Sequence, residues 1–139
     1  MTDVSRDDAS TCFVCGPDNE KGLQLKFSLV DDVCVAEFTP EAHMVGYDKL
    51  VHGGIIFSVL DDVMANWLFL KGVRAHTAKC EIRYREPTIL GDTLRLEGEA
   101  IKVKGKLASM AGRAIRVSDG KVVAETTAAF MIADGELQP

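Results

Sequence analysis

Chemistry is suggested first by His52-Gly53-Gly54 and by Asp61, seven positions after the second glycine. If a helix begins at these glycines, its first backbone N–H groups have no intrahelical partner, and the helix dipole places partial positive charge there. Such a helix start can bind an anion, or a carbonyl oxygen that becomes one in a transition state. A carboxylate further along the same helix could act as a general base or a nucleophile.

A long helix that positions Asp61 is predicted by apolar residues at helical spacing between residues 55 and 70. These residues cover most of the helix circumference, which is typical of a buried helix. Buried carboxylates are costly unless they are hydrogen-bonded or used. Asp61 could therefore be catalytic, or could be satisfied by the hydroxyl of Ser58 or by a turn elsewhere, and the residues alone leave these readings open. Asp62, near Ser58 and Asn66, is expected to be a hydrogen-bonded structural acid.

Alternating apolar and polar residues predict six strands around this helix, in the order β-β-α-β-β-β-β. The predicted strands cover residues 23–29, 33–38, 78–85, 93–103, 107–117 and 122–132. The alternation changes phase between Ala100 and Ile101, which indicates a β-bulge. Strand parity places Thr77 opposite the face that carries Cys80 and Ile82. Antiparallel hairpins with one covering helix predict an α+β fold.

Length and composition indicate one domain of ordinary globular type. The chain has 139 residues and a net charge of −5, which argues against nucleic acid as a partner. The first residues lack the apolar region of a secretory signal, and we expect no membrane-spanning run. Four cysteines suit a reducing compartment, so a cytoplasmic location is expected. Residues 1–11 are expected to be a flexible tail, and residues 12–134 the domain.

The segment from His52 to Asp61 resembles the His-Gly-Gly signature, with its aspartate seven residues after the second glycine, of hotdog-fold acyl-CoA thioesterases of the phenylacetate-pathway type. Cys12 to Leu25 resembles the opening of one branch of that family, and Thr77 to Gly91 is similar to its third strand and the loop after it. The resemblance implies a hotdog fold, with a six-stranded antiparallel sheet wrapped around one long helix. It also implies a homodimer as the minimal unit and a homotetramer as a dimer of dimers.

The same resemblance implies roles for individual residues. The N–H groups of Gly53 and Gly54 would polarise a thioester carbonyl, and Asp61 would activate water or attack the carbonyl itself. Thr77 falls where the family often has a hydroxyl residue that positions the water. His52 would orient the loop. In this family the two halves of each site come from different protomers, so the site would be completed at a dimer interface.

Substrate contacts are expected from the loop before the helix and from its small-residue lane. Val45 occupies a place where related families carry an asparagine or glutamine that binds the carbonyl or the water. Tyr47 could shape the acyl pocket, and Ser58 lies in the lane that leaves room for a ligand. The resemblance implies an acyl-CoA or acyl-carrier-protein substrate, with no metal or organic cofactor. Candidate contacts for the CoA phosphates are Lys79, Arg83, Arg85 and Lys104.

Two other functions stay open beside thioester hydrolysis. The apolar Val45 favours a non-catalytic acyl-CoA-binding protein, whereas the register of Asp61 with the glycines disfavours it. A hydratase or dehydratase would need an acid–base pair that His52 and Asp61 fit poorly. The pair Cys12 and Cys15 resembles half of a zinc knuckle or a redox pair, but a packing role is expected because no second pair accompanies it.

Overall fold

One antiparallel sheet and one long helix form the fold in the computed structural model, which describes residues 9–139. The elements are β1 (Ser28–Val30), β2 (Val33–Phe38), a 3₁₀ turn (Ala42–Met44), α1 (Gly53–Leu70), β3 (Val73–Tyr84), β4 (Leu94–Lys104), β5 (Leu107–Arg116) and β6 (Val122–Gly135). The strand order across the sheet is β1-β2-β4-β5-β6-β3. The predicted α+β architecture, with six strands around one helix, is confirmed.

Helix α1 fills the concave side of the sheet. Its fully buried residues include Val59, Val63 and Met64, which pack against side chains such as Leu96 and Phe130 from the strands. Gly72 ends the helix with a φ of +96°, a conformation that glycine adopts without steric cost. The expectation that no run is long enough to span a membrane is wrong, because α1 passes that test by length and composition. In the fold, however, α1 is the central helix of the core.

A glycine pair lets the middle of α1 approach the sheet backbone. Gly98 in β4 faces Gly112 in β5 across the ladder. A Cβ atom at Gly98 would lie 2.8 Å from the carbonyl oxygen of Val63, closer than real Cβ atoms approach. A Cβ atom at Gly112 would lie 3.2 Å from Cγ of Met64. The two glycines therefore form a notch that seats one turn of the helix.

The first strand is shorter than predicted. The sequence predicts a strand from residue 23, but β1 contains only Ser28–Val30. Gln24 has a φ of +52°, which interrupts extended backbone. The N–H groups of Leu23 and Leu25 donate instead to the carbonyls of Phe13 and Val14, at 2.8 and 2.9 Å. The alternating leucines still pack against the core. The pattern therefore predicts the buried side chains correctly but the wrong backbone conformation.

The described sheet has four register shifts, and two of them bear on the predicted strand parity. The register between β4 and β5 shifts between Ala100 and Lys102, which confirms the predicted bulge at Ile101. A second shift lies in β3, where Thr77 pairs with Phe130 but Lys79 pairs with Ala129. The residue between them, Ala78, is the extra one, and it reverses the alternation that the sequence suggests.

The bulge in β3 corrects the predicted orientation of Thr77. Cross-strand partners point to the same face of a sheet. Phe130 is fully buried under the helix, so its partner Thr77 faces the helix together with Cys80 and Ile82. The sequence places Thr77 on the opposite face because it shows no sign of the extra residue. Strand β3 also begins earlier than predicted, directly after Gly72.

The chain ends are held more closely than predicted over the residues that the structure describes. The N–H groups of Cys12 and Asp18 donate to the carbonyls of Ala9 and Ser10, at 3.1 and 2.9 Å. Strand β6 continues to Gly135, and the carbonyl of Lys71 accepts from the N–H of Gln138 at 2.6 Å. The part of the predicted tail before residue 9 lies outside the described residues.

Candidate active site

The start of α1 is held by the side chain of His52. His52 is the N-cap residue, and its Nδ1 atom accepts from the N–H of Gly54 at 2.9 Å. The ring nitrogen therefore satisfies one of the helix's unpaired donors. The expected role of Gly54 as an oxyanion donor is weakened by this bond, because its N–H is already used inside the chain. His52 thus has the loop-orienting position that the family resemblance implies.

Gly53 is the first residue of the helix and presents its N–H at the terminus. Within the described part of the chain, no protein atom accepts from this N–H. The Gly53 carbonyl accepts a 2.7 Å hydrogen bond from the hydroxyl of Tyr84, at the end of β3. A Cβ atom at Gly53 would lie 3.4 Å from that hydroxyl. Tyr84 therefore orients the peptide at the helix start, a role that the sequence did not reveal.

Asp61 and Thr77 form the central pair of the site. The hydroxyl of Thr77 donates to Oδ1 of Asp61 at 2.6 Å. The bulge at Ala78 makes this bond possible, because it turns Thr77 towards the helix. Ser58 does not bind Asp61; its hydroxyl donates to the carbonyl of Gly54 at 2.8 Å. The reading in which Ser58 satisfies Asp61 is therefore wrong.

Burial of Asp61 raises the pKa of its carboxyl group, and the hydrogen bond from Thr77 partly opposes this by lowering it. The desolvation effect is the larger of the two. A carboxylate with a raised pKa is a stronger base than an exposed one, because its charged form is less stabilised by solvent. Thr77 occupies one oxygen and leaves the second available to a water molecule. A carboxylate that a hydroxyl group holds in one orientation is suited to act as a general base.

The loop before the helix presents apolar side chains to solvent. Val45 is 42% exposed and Tyr47 is 77% exposed. Tyr84 and Ile89, at 50% each, continue this surface around the start of α1. Val45 forms an isolated bridge with Val51, so its position beside the His-Gly-Gly segment is fixed by backbone pairing. An exposed apolar surface around a polar helix terminus suits a ligand or a second protein chain.

Asp62 belongs to a different cluster. Its Oδ2 atom accepts from Nδ2 of the buried Asn66 at 3.0 Å, and its Oδ1 atom lies 3.9 Å from Sγ of Cys12. Nδ2 of Asn66 also lies 3.8 Å from Sγ of Cys15. Asp62 is therefore a hydrogen-bonded acid, as the sequence predicts. It is turned towards the N-terminal segment.

The candidate phosphate contacts differ in how available they are. Arg85 donates to Glu125 at 2.6 Å, and this ion pair raises the pKa of the guanidinium group. Lys79 and Arg83 lie exposed on β3, the free edge of the sheet, and Lys104 is exposed at the end of β4. Lys79 and Arg83 thus lie on the strand that also carries Thr77 and Tyr84.

A family model described as "Thioesterase superfamily" matches residues 48–123, just over half of the chain. The matched part contains the His-Gly-Gly segment, α1 and β3 to β5. It therefore includes all four members of the candidate site: Gly53, Asp61, Thr77 and Tyr84.

Two curated relatives show partial similarity. A 3-hydroxyacyl-[acyl-carrier-protein] dehydratase of Solibacter usitatus is 47% identical over 57 residues, covering 41% of this chain and 34% of the relative. The acyl-coenzyme A thioesterase THEM4 of Mus musculus is 26% identical over 121 residues, covering 84% of this chain and 52% of the relative. The chain thus spans about a third to a half of the length of these two relatives.

Solved structures share the fold. The thioesterase superfamily protein RHA08564 superimposes with a TM-score of 0.81 and 27% identity, over 88% of this chain and 60% of that chain. A Streptococcus mutans protein bound to acetyl CoA gives a TM-score of 0.75 and 19% identity, over 81% and 90% of the two chains. The Escherichia coli PaaI protein of the phenylacetic acid degradation operon gives 0.75 and 23%, over 81% and 82%.

Proposed function

Because the chain belongs to the thioesterase superfamily, we propose that it hydrolyses an acyl thioester to a free acid and a thiol. The observation that carries this proposal is the bond between Thr77 and Asp61, which fixes a partly buried carboxylate of raised pKa on the central helix. A thioester needs only an oxyanion donor and an activated nucleophile, so the chemical step requires no organic cofactor.

The proposed reaction begins with a water molecule on the free oxygen of Asp61. Asp61 takes a proton from the water while the oxygen attacks the thioester carbonyl carbon. The N–H of Gly53 stabilises the oxyanion that forms, at the positive end of the helix dipole. The tetrahedral intermediate collapses, the carbon–sulfur bond breaks, and the thiolate leaves with the proton held by Asp61. A direct attack by Asp61 would instead form an anhydride that water then opens.

The separation of Gly53 and Asp61 within one chain supports a site shared with a second copy. Gly53 and Asp61 are eight residues apart on one helix, which is about 12 Å along the helix axis. Reacting atoms must approach to about 3–3.5 Å, so one carbonyl cannot lie at both residues of the same chain. We propose a homodimer in which Asp61 faces the partner subunit's Gly53. The free edge of β3 and the exposed Tyr47 and Val45 supply surface for this contact.

Other solved structures fit this assignment. Mutant structures of a hypothetical thioesterase protein from Streptococcus pneumoniae replace an aspartate and a threonine by alanine, at positions sixteen residues apart in that protein. Asp61 and Thr77 are also sixteen residues apart. The same protein was solved with coenzyme A, and the Streptococcus mutans protein with acetyl CoA. We therefore propose acyl-CoA as the substrate class, with Lys79 and Arg83 as candidate phosphate contacts.

A second candidate activity is hydration or dehydration of an acyl thioester, favoured by the local identity to the dehydratase of Solibacter usitatus. That chemistry needs an acid–base pair at the acyl chain, whereas Nδ1 of His52 is occupied by the N–H of Gly54. Incubation with enoyl-CoA and chromatography of the products separates the two activities. Water addition without thiol release would favour the dehydratase.

The main test is thiol release from a panel of aromatic and aliphatic acyl-CoAs. We expect turnover on at least one member, lost in Asp61→Asn and retained in Asp92→Asn, a matched change in the loop before β4. Acyl-CoA binding without turnover across the panel would instead indicate the non-catalytic binding protein. After a single turnover in ¹⁸O-water, label in the carboxylate of Asp61 would identify nucleophilic attack, because water can open the anhydride at the aspartyl carbonyl, whereas a general base gains no label.

The dimer proposal has its own test in Gly53→Pro. Proline at the first helical position removes the N–H that would hold the oxyanion, yet helices tolerate it there. His52 has φ −58° and ψ +131°, a conformation suited to a residue before proline. Gly53→Pro and Asp61→Asn should each be inactive alone, and a co-expressed mixture should regain turnover. No recovery in isolated mixed dimers would contradict a site shared between protomers.

A further inference from the structure

We propose that Cys12, Cys15 and Asp62 form a metal site, with Zn²⁺ as the ion that fits the donors. The two Sγ atoms and a carboxylate oxygen all lie within 4.8 Å of one another. Around tetrahedral zinc, a thiolate sulfur and a carboxylate oxygen lie about 3.5 Å apart, given bond lengths of about 2.3 and 2.0 Å. The distance from Sγ of Cys12 to Oδ1 of Asp62 is 3.9 Å. Small side-chain movements therefore suffice to close the site.

The turn that carries both cysteines is built by backbone contacts. The N–H of Gly16 donates to the carbonyl of Cys12 at 2.9 Å and closes the turn around both thiols. A Cβ atom at Gly16 would lie 2.3 Å from the backbone nitrogen of Cys12, so only glycine fits. The neighbouring Phe13 and Val14 carbonyls accept from the 23–25 segment. The thiols are thus held in place, and ordering them on metal binding costs little.

Asn66 orients Asp62, the third donor of the proposed site. It is 2% exposed, and its Nδ2 atom donates to Oδ2 of Asp62 at 3.0 Å. This bond leaves Oδ1, the oxygen nearer Cys12, turned towards the thiols. Metal-binding carboxylates are commonly oriented by such hydrogen bonds. The carboxylate is therefore presented to the cysteine turn in a fixed direction.

A cavity of about 180 Å³ adjoins the three donors. His76 from β3 also lines it, and a water molecule could fill the fourth ligand position. Arg74 lines the same cavity. The donors are two soft thiolates with a carboxylate, which select zinc over the hard cations Mg²⁺ and Ca²⁺.

Charge balance supports a cation at this place. Binding of Zn²⁺ to the reduced protein releases two thiol protons to solvent and leaves two thiolates and a carboxylate around the ion. Three groups that are negative when ionised repel one another unless a cation lies between them. A redox role of the cysteine pair suits this cluster less well, because reactive thiolates lie in electropositive surroundings. The metal would tie the N-terminal segment to α1 at the residue next to Asp61.

Cobalt titration of the full-length, reduced, chelator-treated protein tests the site directly. We expect one Co²⁺ per chain, with a thiolate charge-transfer band and the strong visible bands of tetrahedral geometry, both removed by Zn²⁺. Cys12→Ser, Cys15→Ser and Asp62→Asn should each weaken Zn²⁺ binding by at least about 100-fold, more than supporting residues usually do. His76→Ala should weaken it less.

The matched control is Cys80→Ser, which removes a thiol in β3 whose partner Thr126 lies 3.1 Å away. It should bind metal like the wild type. Circular dichroism shows whether each variant is folded before titration. A cobalt spectrum without thiolate bands, or one unchanged in folded Cys12→Ser, would overturn the proposal. So would zinc binding that Cys80→Ser weakens as strongly as Cys15→Ser does.

Discussion

Asp61 and Asp62 are adjacent on one helix, but they serve different regions of the molecule. Asp61 faces β3 and accepts a hydrogen bond from Thr77, whereas Asp62 faces the cysteine turn and accepts one from Asn66. Consecutive helical residues are about 100° apart around the axis, so neighbours in sequence can face different elements. The hydrogen-bond partner of each aspartate, and not the carboxylate itself, therefore decides which acid is available for chemistry.

The partners of the two aspartates differ in kind. Thr77 satisfies one oxygen of Asp61 at an exposed sheet edge, so the second oxygen stays open to a substrate or a water molecule. Both oxygens of Asp62 lie near protein atoms, at Cys12 and Asn66. Asp61 is thus arranged for a reaction, and Asp62 for holding two segments together.

The largest expected effect separates the two acids by activity. Asp61→Asn should lower kcat by about 10²–10⁴-fold on the best acyl-CoA, because it removes the base and keeps the shape. Asp62→Asn should lower it less than about tenfold, through the position of the helix alone. Thiol-release assays on both variants measure this difference. Equal losses would mean that the comparison assigns the chemistry to the wrong acid.

The free energy of unfolding should show the opposite order, with a larger loss for removal of the Asp62 carboxylate than of the Asp61 carboxylate. Asp62→Ala leaves the buried Asn66 with one fewer partner and should lower the free energy of unfolding by about 1–2 kcal/mol. Urea unfolding of the chelator-treated protein measures the change without a metal contribution. An Asp62→Ala variant as stable as the wild type would show that the cluster does not hold the N-terminal segment.

Thr77 should have an intermediate effect on activity. Thr77→Val removes the hydroxyl at nearly constant volume and should lower kcat by about tenfold, the value of one hydrogen bond of about 1.4 kcal/mol. Thr77→Ser keeps the hydroxyl and should recover most of the rate. If Thr77→Ser and Thr77→Val lose equally, the methyl group matters and the hydrogen bond to Asp61 does not.

The pH dependence of kcat should also distinguish Asp61 from Asp62. The expected shift is a smaller effect than the losses of kcat described above. Asp61 must be ionised to act as base, so kcat should rise with pH through a pKa above the ordinary value of about 3.9. Thr77→Val removes a contact that lowers this pKa, so the acid limb should move to higher pH. A limb that Thr77→Val leaves in place would mean that another group controls the rate.

The raised pKa also has a consequence for stability. The folded pKa of Asp61 exceeds its unfolded value, so the folded state holds the proton more tightly. This contribution is present below the unfolded pKa and is lost as pH rises through the folded pKa. Asp61→Asn should therefore stabilise the fold at neutral pH, with no gain near pH 3. Thermal unfolding at both pH values checks this, and a gain at both would contradict the explanation.

Much of the fold could be predicted from the sequence because its signals are local. The apolar helix, the hairpin turns and the bulge at Ile101 are each marked by residues within a few positions of one another. The family resemblance, and not strand parity, predicts a water-positioning role for Thr77, and its hydrogen bond to Asp61 appears only in the structure. The comparisons support the family and the fold.

Other features depend on contacts between distant residues. Nothing in the residue type of Ala78 marks it as a bulge. Only the pairing of β3 with β6 reveals the extra residue. Tyr84 reads as an ordinary strand residue until its hydroxyl is seen on the carbonyl of Gly53. The approach of Cys12 and Cys15 to Asp62 joins segments some fifty residues apart. The sequence carries no second cysteine pair near Cys12 and Cys15, whereas the fold brings the third donor, Asp62, from the helix.

The glycine notch of Gly98 and Gly112 limits how this protein can change over evolution. A side chain at Gly98 would push the helix backbone at Val63 away from the sheet. Because that contact fixes the rotation of α1 about its own axis, it also fixes the directions in which the two aspartates point. Substitutions at the exposed loop around Tyr47 leave this contact untouched. The loop around Tyr47 is therefore free to diversify while the orientation of the carboxylates is inherited unchanged.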